Sequence, residues 1–244
     1  MEDDFRRLFD GIHAQTLAAM EKDLARISSL PELLAVTQAA LQHTTRTLSS
    51  ITESAGVKTA CSSGCSFCCW HRVDALAHEI LLAARYIRAH WTQEEIDALR
   101  RAARQRAEEE LRMDYAQRQR SIRPCVLLEE NICRIYPVRP GACRRYFSGS
   151  IDACHRLWED PQAEAAVGIP LLSDAGHAAG SAMLRAFAAA GYDHYFYDLS
   201  AALAEALEDE ACEQRWFAKQ AAFSADARTL MPPPGPPAPV IHSW

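Results

Sequence analysis

A chain of 244 residues, 49% apolar and 24% charged, can bury a core without covalent staples. Its net charge of −6 excludes a general nucleic-acid binder, which needs a basic face to displace counterions from phosphates. No stretch approaches the roughly 18 apolar residues of a membrane span.

The first segment, "MEDDFRRLFDGIHAQTL", lacks a cationic stretch followed by an apolar run, so it does not read as a secretory signal. The expected compartment is the cytoplasm, where thiols stay reduced. Phe5, Leu8, Phe9, Ile12, Leu17, Met20, Leu24 and Ile27 recur at helical spacing, and Leu33, Leu34, Leu41, Leu48 and Ile51 repeat the pattern. Residues 1–57 are therefore expected to form a two-helix segment, with Pro31 in the first turn of the second. After a cysteine-rich loop, a helix is predicted over about 74–90. "WTQEEIDAL" restarts one with Thr92 as N-cap and Glu95 three residues on, a capping box, and this helix is expected to reach about 118. Pro124, Pro137, Pro140, Gly141 and Gly149 predict loops, turns and one short strand pair over 123–156. From Asp160-Pro161 a helical segment is expected to resume, interrupted at Gly191, and to run to about 230. The tail "MPPPGPPAPVIHSW", residues 231–244, reads as extended or disordered. The fold class expected is mainly α, a helical domain wrapped around an irregular cysteine-rich centre at 58–156, with a C-terminal segment over 157–230 packing on it.

The chemistry lies in that centre. "CSSGCSFCC" places Cys61, Cys65, Cys68 and Cys69 within nine positions, and Cys125, Cys133 and Cys143 follow at loop-like intervals. An isolated cysteine is most often a small buried apolar residue, and Cys212 is read that way. Seven clustered ones, interleaved with Gly, Ser and Pro in a reducing compartment, point to metal before disulfides. Tetrahedral zinc takes four ligands, and iron–sulfur clusters also take four thiolates. Seven sulfurs exceed one mononuclear site, which favours iron slightly over zinc. Cys154 and His155 stand in reserve. The spacing at Cys61, Cys65 and Cys68 also matches the cluster loop of radical S-adenosylmethionine enzymes, but the helices before residue 61 contradict the strand–helix alternation of that barrel.

These residues resemble the YkgJ-like cysteine-cluster family (CxxCxxCC), a zinc- or iron-chelating domain. "CSSGCSFCC" is one residue longer in its first gap than the short form of the family motif. "CRIYPVRPGACRRY" follows the family's second motif almost letter for letter, with "PCVLL" ahead of it. The resemblance covers about 58–148 and carries the family's cysteine positions onto the seven named above, with Tyr136, Arg139, Pro140 and Arg144 matching too. Burying several thiolates requires compensating charge, for which Arg134, Arg139, Arg144 and Arg145 are candidates. Some members look like flagellin lysine methylases; this chain shows no glycine-rich nucleotide loop.

Three functions follow as alternatives: an iron or zinc centre held by a bipartite thiolate set, a structural zinc module serving a protein partner, and a metal-dependent peptide- or protein-modifying enzyme. The last predicts a pocket lined by Trp70, His71, Tyr136 or His155. Residues 61–156 carry sixteen basic against twelve acidic residues, so the cysteine region is locally basic inside an acidic chain. A protein or peptide partner is expected, with no nucleic acid and no membrane.

Overall fold

The computed structural model describes residues 2–163 and 168–229; the proline-rich tail lies outside them. The fold is mainly α. Helix α1 spans Glu2–Leu24 and α2 spans Leu30–Ser54. Ser29 caps α2 through the Glu32 N–H, and Pro31 sits in its first turn. A 3-10 turn at Phe67–Trp70 closes the cysteine loop. The helix expected from 74 begins three residues later: Asp74–Leu76 is a strand, β1, and α3 covers Ala77–His90. β1 pairs antiparallel with β4, Phe196–Asp198, in register Asp74↔Asp198. Strands of three residues, paired across so long a stretch of chain, leave no local period to read.

The capping box at Thr92 starts α4, Gln93–Leu111, as its sequence demands. Extension to 118 is overturned. Asp114 accepts from the Gln117 N–H and Gln117 returns the bond, so a second capping box starts α5, Tyr115–Arg120. The strand pair expected after 123 is the hairpin of β2, Leu128–Glu129, and β3, Ile132–Cys133. Glu130 and Asn131 turn it with φ of 48° and 63°, the double left-handed geometry that matches strand twist. Two helices lie where only loops were expected: α6, Gly141–Arg145, and α7, Ile151–Glu159. Asp160 therefore ends a helix rather than starting one, and α8 begins at Pro170, running to Ala189. Helices α9, Leu199–Glu208, and α10, Ala211–Phe217, complete the chain's described part.

Helix α3 sits at the centre. Ile80, Leu81, Ala84 and Ile87 are fully buried among residues of α2, α8, α9 and α10, including Phe187 and Trp216. α1 lies along α8, and α4 along α9. Because only residues 71–76, which include β1, separate the cysteine loop from α3, the loop is anchored to the core. α6 is anchored twice more. The Gly141 N–H donates to Glu79 Oε1 of α3 at 2.7 Å, and a Cβ on Gly176 of α8 would stand 2.3 Å from Arg145 Cβ. Only glycine lets the two helices approach that closely. Among the described residues no helix is long and apolar enough to cross a membrane.

Candidate metal centre

The loop at 60–70 is shaped by its own backbone. Gly64 takes φ +84°, a conformation costly for other residues, and the Cys65 N–H returns to the Ser62 carbonyl. The Cys69 N–H returns to Ser66 in the 3-10 turn. Two neighbours fix the loop from outside. Ala60 N–H donates to the Ser148 carbonyl at 2.7 Å, and Ser148 N–H donates to Cys61 Sγ at 3.3 Å.

The second neighbour is the segment carrying the other thiols. Cys125 N–H donates to the Cys69 carbonyl at 2.7 Å, and Arg123 N–H to that of Trp70 at 2.9 Å. Ser66 Oγ donates to Asn131 Oδ1 in the hairpin turn at 2.8 Å. The backbone itself thus stitches the two cysteine groups together.

Electrostatics reports the same convergence. Burial pushes the Cys143 thiol up, and the neighbouring Cys125, Cys133 and Cys68 add to it. The Cys68 thiol is raised first by its hydrogen bond with Cys69, then by burial. Burial pushes Cys125 up to about 11, with Cys133 contributing. Cys61 is raised by burial, then by Cys65 and Cys68, against the Ser148 N–H. Cys133 and Cys143 of the second group each feel Cys68 of the first. Cys154 on α7 is raised by burial and by Cys61, Cys65 and Cys68, so it adjoins the first group. Cys212 is buried elsewhere, hydrogen-bonded to the Glu205 carbonyl, as a core residue.

Seven soft thiols fit a thiophilic metal such as zinc or iron in a cluster. Among the described residues no three His, Cys, Asp or Glu side chains are gathered at ligating geometry.

Of the four candidate arginines, Arg134 is turned to other tasks, while Arg144 and Arg145 lie near Cys143 and also serve the fold. Arg134 lies 3.8 Å over the Trp91 ring and pairs with Glu95 and Glu129. Arg144 donates to the carbonyls of Arg139 and Pro137 and to Thr45 Oγ1, each at 2.8 Å, holding the turn before α6 in shape. Arg145 packs against Gly176 of α8. Arg139 alone offsets charge on thiols of both groups: Cys61, Cys68, Cys133 and Cys143. Its Cζ rests 4.0 Å over the Tyr136 ring, and its buried Nε has no hydrogen-bond partner. Arg139→Gln is expected to weaken metal binding about 10–100-fold in chelator competition, the usual cost of losing a supporting partner, and Arg139→Lys to lose less. Arg134→Gln should leave affinity unchanged.

Of the four residues expected to line a modifying enzyme's pocket, two share one group and two lie apart from it. Trp70 and His155 belong to an aromatic group with Phe67 and Trp158, while Tyr136 is exposed beneath Arg139. His71 lines a cavity of about 20 Å³ behind Cys125, with Arg72, Arg106, Glu110 and Asp198. There Arg72 Nε donates to Asp198 Oδ2 at 3.0 Å, and burial beside Asp198 pushes Glu110 up to about 7. Sequence reasoning missed this cluster. Its members come from the loop before β1, from α4 and from β4, and no spacing links them.

Residues 60–161 match the family model CxxCxxCC, described as a "putative zinc- or iron-chelating domain". The match covers this region and is a likeness to that family. The matched stretch takes in all seven clustered cysteines and also α7 with Cys154 and His155, beyond the stretch the motifs alone indicated. α1, α2 and α8–α10 lie outside it. No curated protein and no solved structure matches the chain.

Proposed function

We propose that the matched stretch holds iron, as an iron–sulfur centre, through thiolates drawn from both groups: Cys61, Cys65, Cys68 and Cys69 with Cys125, Cys133 and Cys143. The observation that carries this reading is the backbone bond from Cys125 to Cys69, which fastens the second thiol segment against the first. Seven thiols, with Cys68 and Cys69 adjacent, exceed what one structural zinc uses. When bound, such a centre supplies one-electron chemistry or Lewis acidity. The chain's part is to hold the thiols near one another, to offset their charge with Arg139, and to orient Cys61 through the Ser148 N–H. A reducing, cytoplasmic setting would keep these thiols available as ligands.

Anaerobic purification with metal and sulfide analysis tests it. The expected product is coloured and contains iron and acid-labile sulfide. A colourless protein with stoichiometric zinc and no sulfide would move the reading to a structural zinc module, in which removing the ion unfolds the domain.

A further inference from the structure

The segment that brings Cys125 to the centre begins on the wall of a groove. α4 ends, α5 turns across its end, and the chain returns through Ser121 and Arg123 toward the thiols. The space between them is about 610 Å³, open along one side, and lined by Glu109, Arg112, Met113, Gln117, Arg120 and Arg123. Three arginines face one glutamate, and that glutamate is already ion-paired with Arg123. Arg112 makes no side-chain hydrogen bond or ion pair among the described residues. Arg120 is met by a neutral group: Gln162, with its amide oxygen turned to α5, accepts from Arg120 Nε at 3.0 Å. The groove therefore carries uncompensated positive charge, although the whole chain is acidic.

We infer that this groove docks an acidic segment of a partner protein and brings it beside the thiol centre. Guanidinium groups recognise carboxylates bidentately, and Met113 offers an adaptable apolar contact between them. Small-molecule sites enclose most of their ligand, which an open groove does not do. A nucleic acid would meet the chain's net charge of −6 once it left three arginines behind. The groove also adjoins the centre. Arg123 on its wall is bonded through its backbone to Trp70, and Cys125 two residues later to Cys69. The docking site stands on the groove alone and holds whether the centre takes iron or zinc.

The test is fluorescence anisotropy on the full chain, metal-loaded and metal-free, with a labelled Glu-rich peptide of about twelve residues at about 50 mM salt, where surface charges act over more than 10 Å. The acidic peptide should bind and its Lys-rich counterpart should not. Binding should weaken about tenfold or more in Arg112→Glu/Arg120→Glu and at high salt. Arg101→Glu, on an exposed part of α4 about three turns away, should change nothing. Both arginines are exposed, so the double variant should melt with the wild type; if it does not, Arg112→Gln alone must still weaken binding several-fold. Failure of the wild type to bind the acidic peptide, equal binding by the variants, or an equal loss in Arg101→Glu would each overturn the inference. Metal analysis is read separately, so loss of the metal reading leaves this result intact.

Discussion

Cys143→Ser is expected to strip the centre of metal as thoroughly as Cys68→Ser, although the two residues lie in different motifs. Cys68 is the link between the motifs: Cys143 and Cys133 of the second group both feel its charge. If one centre draws on both groups, either substitution removes a ligand, and the loss should exceed the 10–100-fold cost of an outer partner. The fold should survive Cys143→Ser, because α6 is held by the Gly141–Glu79 bond and by Arg144 rather than by the sulfur. Metal content and chelator competition are the measurements. Full metal in Cys143→Ser alongside an empty Cys68→Ser would confine the site to the first loop.

The same thiols set a pH dependence. Burial raises Cys61, Cys125, Cys133 and Cys143, and the hydrogen bond with Cys69 followed by burial raises Cys68, so the metal-free fold holds their protons more tightly than the unfolded chain does. The metal-free protein is therefore most stable below the ordinary thiol pKa of about 8.5 and loses stability as pH rises from there. For Cys125 that loss extends to about 11. Metal loading expels those protons and should remove the alkaline loss, which Cys143→Ser should not recover.

Much of this was legible in the sequence because it is local. The seven cysteines declare themselves by spacing, and Thr92 with Glu95 declares a helix start. Asp114 with Gln117 carries the same signal, overshadowed by a helical charge pattern that continues across it. Ser150 likewise caps α7 through the Ala153 N–H, and Ala153, Cys154 and Leu157 form its buried stripe; surrounding Pro and Gly obscured nine helical residues. What was not legible is pairing at a distance. Nothing near Asp74 announces Asp198, and nothing near Arg139 says that it, rather than Arg134 or Arg144, acts on thiols of both groups. Those choices depend on Trp91, Glu95 and Thr45 capturing the other guanidinium groups, and tertiary packing alone decides that.

His78 is a further position to which spacing gave no role, and it carries the second large prediction. It lies on α3 at 1% exposure, stacked 4.1 Å from the Phe187 ring centroid and 6.1 Å from that of Trp216. Neither ring nitrogen has a hydrogen-bond partner, nor does Trp216 Nε1. A neutral imidazole carries one donor and one acceptor, and leaving such groups buried and unpaired costs about 1–3 kcal/mol. Burial lowers its pKa to about 3, so the folded chain keeps it neutral while the unfolded chain protonates near 6.5. Its contribution is thus fully present above about pH 6.5 and is lost as pH falls toward 3, on the order of 5 kcal/mol across that window. Glu95, held near 2 first by the Thr92 N–H and then by Arg134, titrates in the same direction, but it is solvent-exposed and screened. His78→Leu keeps the volume and removes both unpaired nitrogens. Denaturant unfolding should show it more stable than the wild type at neutral pH by about 1–3 kcal/mol, less whatever the lost stacking on Phe187 contributed. Between pH 6 and 4 the gap should widen, because only the wild type must hold an imidazole uncharged against the solvent's protons. A variant less stable at neutral pH, with an acid limb parallel to the wild type's, would mean that His78 finds partners in solution that this core does not show.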